Sequence, residues 1–197
     1  ADTSPVTNTV NIMSFGIERL VLPLKSEIAR VIRVMPESLV TEEVKRKVQR
    51  DPSGNFISHP DLDILKLAVI ERHKATGNIG LALVENYKLK GGALASTIAH
   101  DSHNIIVLGD NDPDMYAAVM ELVRTGGGIT LVQNRKVLAT LELPIAGLMS
   151  DQKAEFISDQ LKEMRSLAFE TLGVNSELDT FMTLSFLSLP VILELKL

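Results

Sequence analysis

The densest group of chemically capable side chains in this 197-residue sequence is Ala99-His100-Asp101-Ser102-His103-Asn104, which holds two of the four histidines. Imidazole and carboxylate are the side chains that move protons near neutral pH and bind divalent metals. His100 and His103 are three residues apart, a spacing that puts them on opposite faces of a strand, so only a turn brings them together. No third imidazole is near in sequence and no HExxH pattern is present, so a metal site made by this segment is disfavoured. Ser102 has His100, Asp101 and His103 beside it. Nucleophilic triads, however, draw their members from distant segments around a strained elbow, and no GxSxG surrounds this serine. His100, Asp101, Ser102, His103 and Asn104 are therefore read as a polar functional contact. The alternative is a plain polar turn bonded to its own backbone.

Two other patterns invite chemistry and fail on detail. Asp110, Asp112, Asp114 and Glu121 fall at positions one, three, five and twelve of a calcium loop, but position six, which must be Gly, is Met115. Helix capping explains them better. Gly126-Gly127-Gly128 and Lys90-Gly91-Gly92 precede strand-like runs instead of opening helices, so they read as turns and not phosphate loops. The absence of cysteine excludes disulfides, thiolate zinc sites and a Cys nucleophile. With 20 basic and 25 acidic residues the net charge is -5, which disfavours nonspecific binding of nucleic acid or anionic membrane; neither partner is expected. No apolar run is long enough to span a bilayer, and Ala1 to Pro5 lacks the start of a signal peptide, so the cytoplasm is the expected location. The chain lacks an initiator Met and stops inside a strand-like run, and is expected to be a processed or excised piece.

The elements that must position these residues are set by periodicity. Hydrophobic residues make up 45% of the chain and charged residues 23%, an ordinary globular balance. Thr9 to Met13, Ala29 to Val34, Ile64 to Glu71, Asn78 to Val84, Gly92 to Ala99, Asn104 to Leu108, Ile129 to Val132 and Val137 to Leu143 read as strands. Glu42 to Gln49 reads as a solvated helical turn or an edge strand. One helix is expected to start after an Asp112 N-cap with Pro113 first, bury Met115, Val119, Leu122 and Val123, and end at Gly126. A second starts near Ser150-Asp151, carries the stripe Ala154, Ile157, Leu161, Met164 and Ala168, and closes at Gly173. Met115, Met120 and Met164 read as core. Phe181 to Leu187 and an alternating Val191 to Leu197 read as the closing strands. The fold class is thus α+β: a mixed, largely antiparallel sheet with two main helices packed on it. Residues 1–55 form a β-rich N-terminal segment, expected as a small separate layer, and residues 56–197 the main domain.

Several runs resemble one family. Glu71-Arg72-His73, Thr76 to Leu81, Leu89 to Ala93, Ala99 to Val107, Gly126 to Gly128, Leu143 to Asp151, Phe181 to Leu187 and Leu189 to Ile192 look like the C-terminal domain of bacterial and archaeal adenine deaminases, amidohydrolase-superfamily enzymes of purine salvage. The resemblance covers about Asn8 to Leu197. It implies an intact enzyme that hydrolyses adenine to hypoxanthine and ammonia with a divalent metal pair, manganese or iron, supplying hydroxide. It also implies that the metal ligands sit on a (β/α)₈ barrel of about 250 residues, too long for this chain to contain. The chain corresponds to the part downstream of that barrel. It is expected to be inactive alone, to carry no metal ligand or catalytic base, and to meet the barrel and adenine within a homo-oligomer. The alternative is a non-catalytic structural, oligomerisation or nucleobase-binding module.

Overall fold

Alternating and continuous apolar runs become strands in the computed structural model, which describes residues 6–189 and 196–197. In chain order these are β1 (Ile28–Arg33), β2 (Glu42–Lys47), β3 (Gln49–Arg50), β4 (Phe56–Ile57), β5 (Ile64–Ile70), β6 (Ile79–Glu85), β7 (Ala93–Ser96) and β8 (Ile105–Gly109). Next along the chain are helix α1 (Asp112–Thr125), strands β9 (Gly128–Gln133) and β10 (Lys136–Glu142), and helices α2 (Ala154–Glu170) and α3 (Thr180–Phe186). Eight strands form one sheet in the order β10-β9-β7-β8-β5-β6-β1-β2. Every pairing in it is antiparallel except β1 with β6, so the sheet is mixed and largely antiparallel and the fold is α+β as expected. β1 and β2 complete this sheet and do not form a layer of their own; β3 and β4 make a separate two-stranded ribbon. The charged stretch Glu42 to Lys47 is the edge strand of the two alternatives, its charges suited to blunting an open edge.

The sheet is covered on both faces. In β8, Ile105 and Val107 join the cluster under α1 with Met115, Ala118, Val119 and Leu122. Ile106 and Leu108 join the cluster under α2 and α3 with Met164, Ala168 and Leu184. This is why the Ile105-to-Leu108 run has no polar face: a strand buried on both sides has none to spare. Each such side chain contributes roughly 1.5–3 kcal/mol by leaving water.

Several expectations are corrected. The N-cap of α1 is Asn111, whose side chain accepts from the Asp114 N–H, because the Asp112 carboxylate is drawn inward to the buried ammonium of Lys66. Helix α2 begins at Ala154 after Lys153, not at Ser150-Asp151, and ends at Glu170 with Gly173 in the next turn at φ 65°. Met120 is 39% exposed and is not core. Phe181 to Leu187 belongs to a third helix, capped by the Asp179 side chain accepting from the Met182 N–H. Thr9 to Met13 is not a strand: Asn11 makes backbone bonds to Arg72 and Ala75 but enters no ladder. The expected run Val191 to Leu197 lies outside the described residues except for its last two. Among the described residues no helix is long and apolar enough to cross a membrane.

Strand register gathers four connections at one end of the sheet. Ile70 pairs with Ile79 and Ile105, Ser96 with Ile106 and Ile129, and Glu142 with Gly128. Residues 71–78, 97–104, 126–127 and 143–151 therefore emerge there together.

Candidate functional site

At that end the segment His100 to Asn104 is a tight turn. The His103 N–H donates to the Ala99 carbonyl at 2.5 Å and the His100 N–H to the Ser185 carbonyl of α3 at 2.8 Å. His103 sits at φ 51°, a left-handed conformation that turns the chain back. The two imidazoles meet, their centroids 5.4 Å apart and their planes at 66°. His73 joins them from the β5–β6 turn, with Nε2 2.7 Å from the Ser102 carbonyl. A carbonyl only accepts, so the proton is on Nε2. Three of the four histidines thus gather here, while His59 lies before β5 at the other end of the sheet. Asp101 and Ser102 are exposed; His100, His103 and Asn104 are half-buried.

The turn is not a satisfied polar loop. Among the described residues, His103 Nδ1 and Asn104 Oδ1 are buried and have no hydrogen-bond partner. An unpaired buried polar group costs roughly 1–3 kcal/mol, so a native chain leaves one only where something else completes it. The His103 pKa is lowered, first by burial and then by His100 and Arg72, so its ring is neutral at pH 7 and offers one donor and one acceptor nitrogen. Among the described residues no group of three or more His, Asp or Glu side chains is placed to hold a metal ion. The acidic run after β8 is committed to structure. Asp110 accepts from the Gly91 and Gly92 N–H groups, and Asp114 from those of Asn134 and Arg135.

The residue that organises the site was not singled out from sequence. Arg72, at the end of β5, is 1% exposed. Its Nε donates to the His103 carbonyl, Nη2 to the Ala146 carbonyl at 3.0 Å, and Nη1 to Thr9, both carbonyl and hydroxyl, at 3.4 Å. No carboxylate pairs with it among the described residues, and burial lowers its pKa. Three segments far apart in sequence are held by one planar fork of donors. A second tie lies beside it. Thr97 Oγ1 accepts from the Gly128 N–H at 2.8 Å and donates to the Gly147 carbonyl at 2.5 Å. These two knots join the glycine run, the Leu143-to-Asp151 segment and the histidine turn. A buried Arg and Thr give no sequence signal, because their partners are supplied by the fold.

Glu71 shapes the neighbouring turn. Its carboxylate accepts from the N–H groups of His73, Lys74 and Thr76 and from the Thr76 hydroxyl. The Thr76 N–H foremost, with those of Lys74 and His73, pulls its pKa from 4.5 down to about 2. A depressed carboxyl stabilises the fold fully above its unfolded pKa and loses that contribution as pH falls through the folded value. Glu71→Gln is therefore expected to melt below the parent at neutral pH, with the gap narrowing as pH drops from 4.5 to about 2. Thermal unfolding of both proteins across that range checks it; a gap of constant size would refute the assignment.

The family model for the adenine deaminase C-terminal domain matches residues 38–197. The chain is 55% identical over 192 residues to an adenine deaminase of Nitratidesulfovibrio vulgaris, covering 98% of this chain and 33% of the relative. It is 50% identical over 197 residues to an adenine deaminase of Clostridium acetobutylicum, covering 100% of this chain and 34% of the relative. An adenine deaminase 2 of Carboxydothermus hydrogenoformans is 47% identical over 196 residues, with the same coverage. The chain thus spans about a third of the length of the curated relatives it matches. A match over most of the chain, with relatives near half identity along all of it, means that this protein belongs to the adenine deaminase C-terminal domain family.

Proposed function

We propose that this chain is the non-barrel lobe of an enzyme that hydrolyses adenine to hypoxanthine and ammonia in cytoplasmic purine salvage, and that the sheet end bearing His73 and His100 to Asn104 faces the reaction centre. The observation that carries this reading is the pair of buried, unpartnered acceptor-capable atoms, His103 Nδ1 and Asn104 Oδ1, beside clustered imidazoles. Asn104 Oδ1 can only accept, so its missing partner is an N–H or O–H group, and an aminopurine edge supplies N–H donors. A neutral His103 adds one donor or acceptor without bringing charge. Iron or manganese is expected on a barrel domain outside this chain. No step through a metal is assigned to these residues. The role left to this lobe is to bind, orient and shield the substrate, which lowers a barrier by holding the reacting groups in place.

The test is made in the full-length protein. His100→Ala and Asp101→Ala are each expected to lower kcat/KM by about a hundredfold, the size usual for a lost polar contact in a transition state. Activity unchanged in both variants, measured as loss of adenine absorbance, would remove the reading.

A further inference from the structure

We propose that the cleft between the sheet and helices α2 and α3 binds a flat, uncharged heteroaromatic ring. This goes beyond the proposed function, because the cleft is built wholly within this chain and its occupation needs no second domain. It has a volume of about 390 Å³, within the range of small-molecule sites. Ile98, Ile129, Leu161 and Phe181 give it an apolar lining. One wall is a stack: the His100 ring lies 4.6 Å from Phe186, centroid to centroid, with planes 31° apart. A third ring extends such a stack at little cost in ordering, since the first two are already held.

The polar atoms in the cleft are few and keep spare hydrogen-bonding capacity. Ser96 Oγ accepts from the Ile98 N–H, and its own proton has no acceptor among the described residues. No described residue hydrogen-bonds to either ring nitrogen of His100, and Ser185 Oγ commits only its proton, to the Met182 carbonyl. These groups suit ring nitrogens and N–H edges. Charge is balanced: Arg165 and Asp179, both lining the cleft, pair with each other at 3.5 Å. That leaves no free carboxylate or guanidinium to favour an ion, so a neutral ligand fits best. Met182 is 53% exposed and also lines the cleft, a thioether placed to contact a ring edge.

The test titrates adenine, uracil and non-aromatic dihydrouracil into this chain and tracks backbone amide shifts by NMR. Saturable shifts at Ile98, Ile129, Leu161 and Phe186 are expected with adenine and uracil. Dihydrouracil should bind about tenfold more weakly for want of stacking. Met182→Glu, a change at an exposed position, should weaken adenine about tenfold without altering thermal unfolding, and Phe186→Leu, at a half-buried position, should weaken it by a similar factor. The proposal is overturned by no shifts up to the solubility limit of adenine. Shifts confined to residues 71–78 and 143–151, equal binding of dihydrouracil, or parent-like binding by both variants would overturn it as well. If His100→Ala cripples the full-length enzyme while this chain binds no base, the cleft proposal falls and the functional reading stands.

Discussion

Arg72→Met is expected to destabilise the fold by roughly 3–5 kcal/mol, seen as a melting temperature lower by roughly 6–20 °C. Two effects oppose each other at this position. Burying a guanidinium without a carboxylate is costly, and replacing buried ions by apolar residues of similar volume can be neutral or better. Against that stand the carbonyls of His103, Ala146 and Thr9, all turned toward Arg72. Methionine donates nothing, so groups arranged around a donor would be left without one, each at a cost of roughly 1–3 kcal/mol. The second effect wins because three backbone segments share the loss and none can turn to water without undoing the sheet end. Arg72→Lys is expected to recover little, since one ammonium on a flexible stem cannot reproduce a fork that spans three segments. In the full-length protein, both variants should also lower activity through a displaced His103. A methionine variant within about 0.5 kcal/mol of the parent would mean that desolvation cancels the hydrogen bonds, and Arg72 would lose its place as organiser.

The strands of the central sheet were legible in the sequence because their patterns answer to local physics: Ile105 to Leu108 is apolar throughout because both faces are covered. Helix α1 was bracketed correctly by Pro113 and Gly126, and only its cap was displaced, because Lys66 claims Asp112 from a strand 46 residues away. Helix α3 reads as a strand in sequence because Met182, Leu184 and Phe186 alternate with Thr183 and Ser185; the Asp179 cap is the signal for a helix. Thr9 to Met13 has strand composition, yet it crosses the end of β5 and finds single bonds in place of a ladder. At the site, the histidine turn was found by composition alone. Its third imidazole, His73, and its organiser, Arg72, were not, because their partners lie 29 to 74 residues away along the chain. Of the segments that carry the resemblance to adenine deaminases, Glu71 to His73, Ala99 to Asn104, Gly126 to Gly128 and Leu143 to Asp151 lie at the site end of the sheet and Leu89 to Ala93 at the other, and family membership bears the resemblance out.

Three consecutive glycines give the second large expected effect, and a sharp contrast among themselves. All three have positive φ, at 75°, 118° and 151° for Gly126, Gly127 and Gly128, so any side chain costs something. What differs is the space. A Cβ on Gly126 would meet nothing within 4 Å, and Gly126→Ala should cost only the roughly 1–2 kcal/mol of a left-handed alanine. A Cβ on Gly127 would lie 2.4 Å from the Gly147 Cα, and one on Gly128 2.2 Å from the Leu141 carbonyl oxygen. Those obstacles are backbone and cannot swing aside. Relief would have to push Gly147 away, and Gly147 is held by Thr97 and packed beside the Arg72 guanidinium. Overpacking adds roughly 1–3 kcal/mol or more to the conformational penalty, so Gly127→Ala should cost about 3–5 kcal/mol and Gly128→Ala a similar amount. Because the displaced backbone leads directly to Arg72 and the histidine turn, Gly127→Ala in the full-length protein should also reduce activity at temperatures where the variant remains folded. Gly126→Ala should leave activity near that of the parent. Denaturant unfolding of the three variants, then kinetics on those that fold, separates the cases. Equal losses at all three positions would mean that the glycines serve only to relax a turn, and that the close contact between the glycine run and the Gly147 loop does not hold the site together.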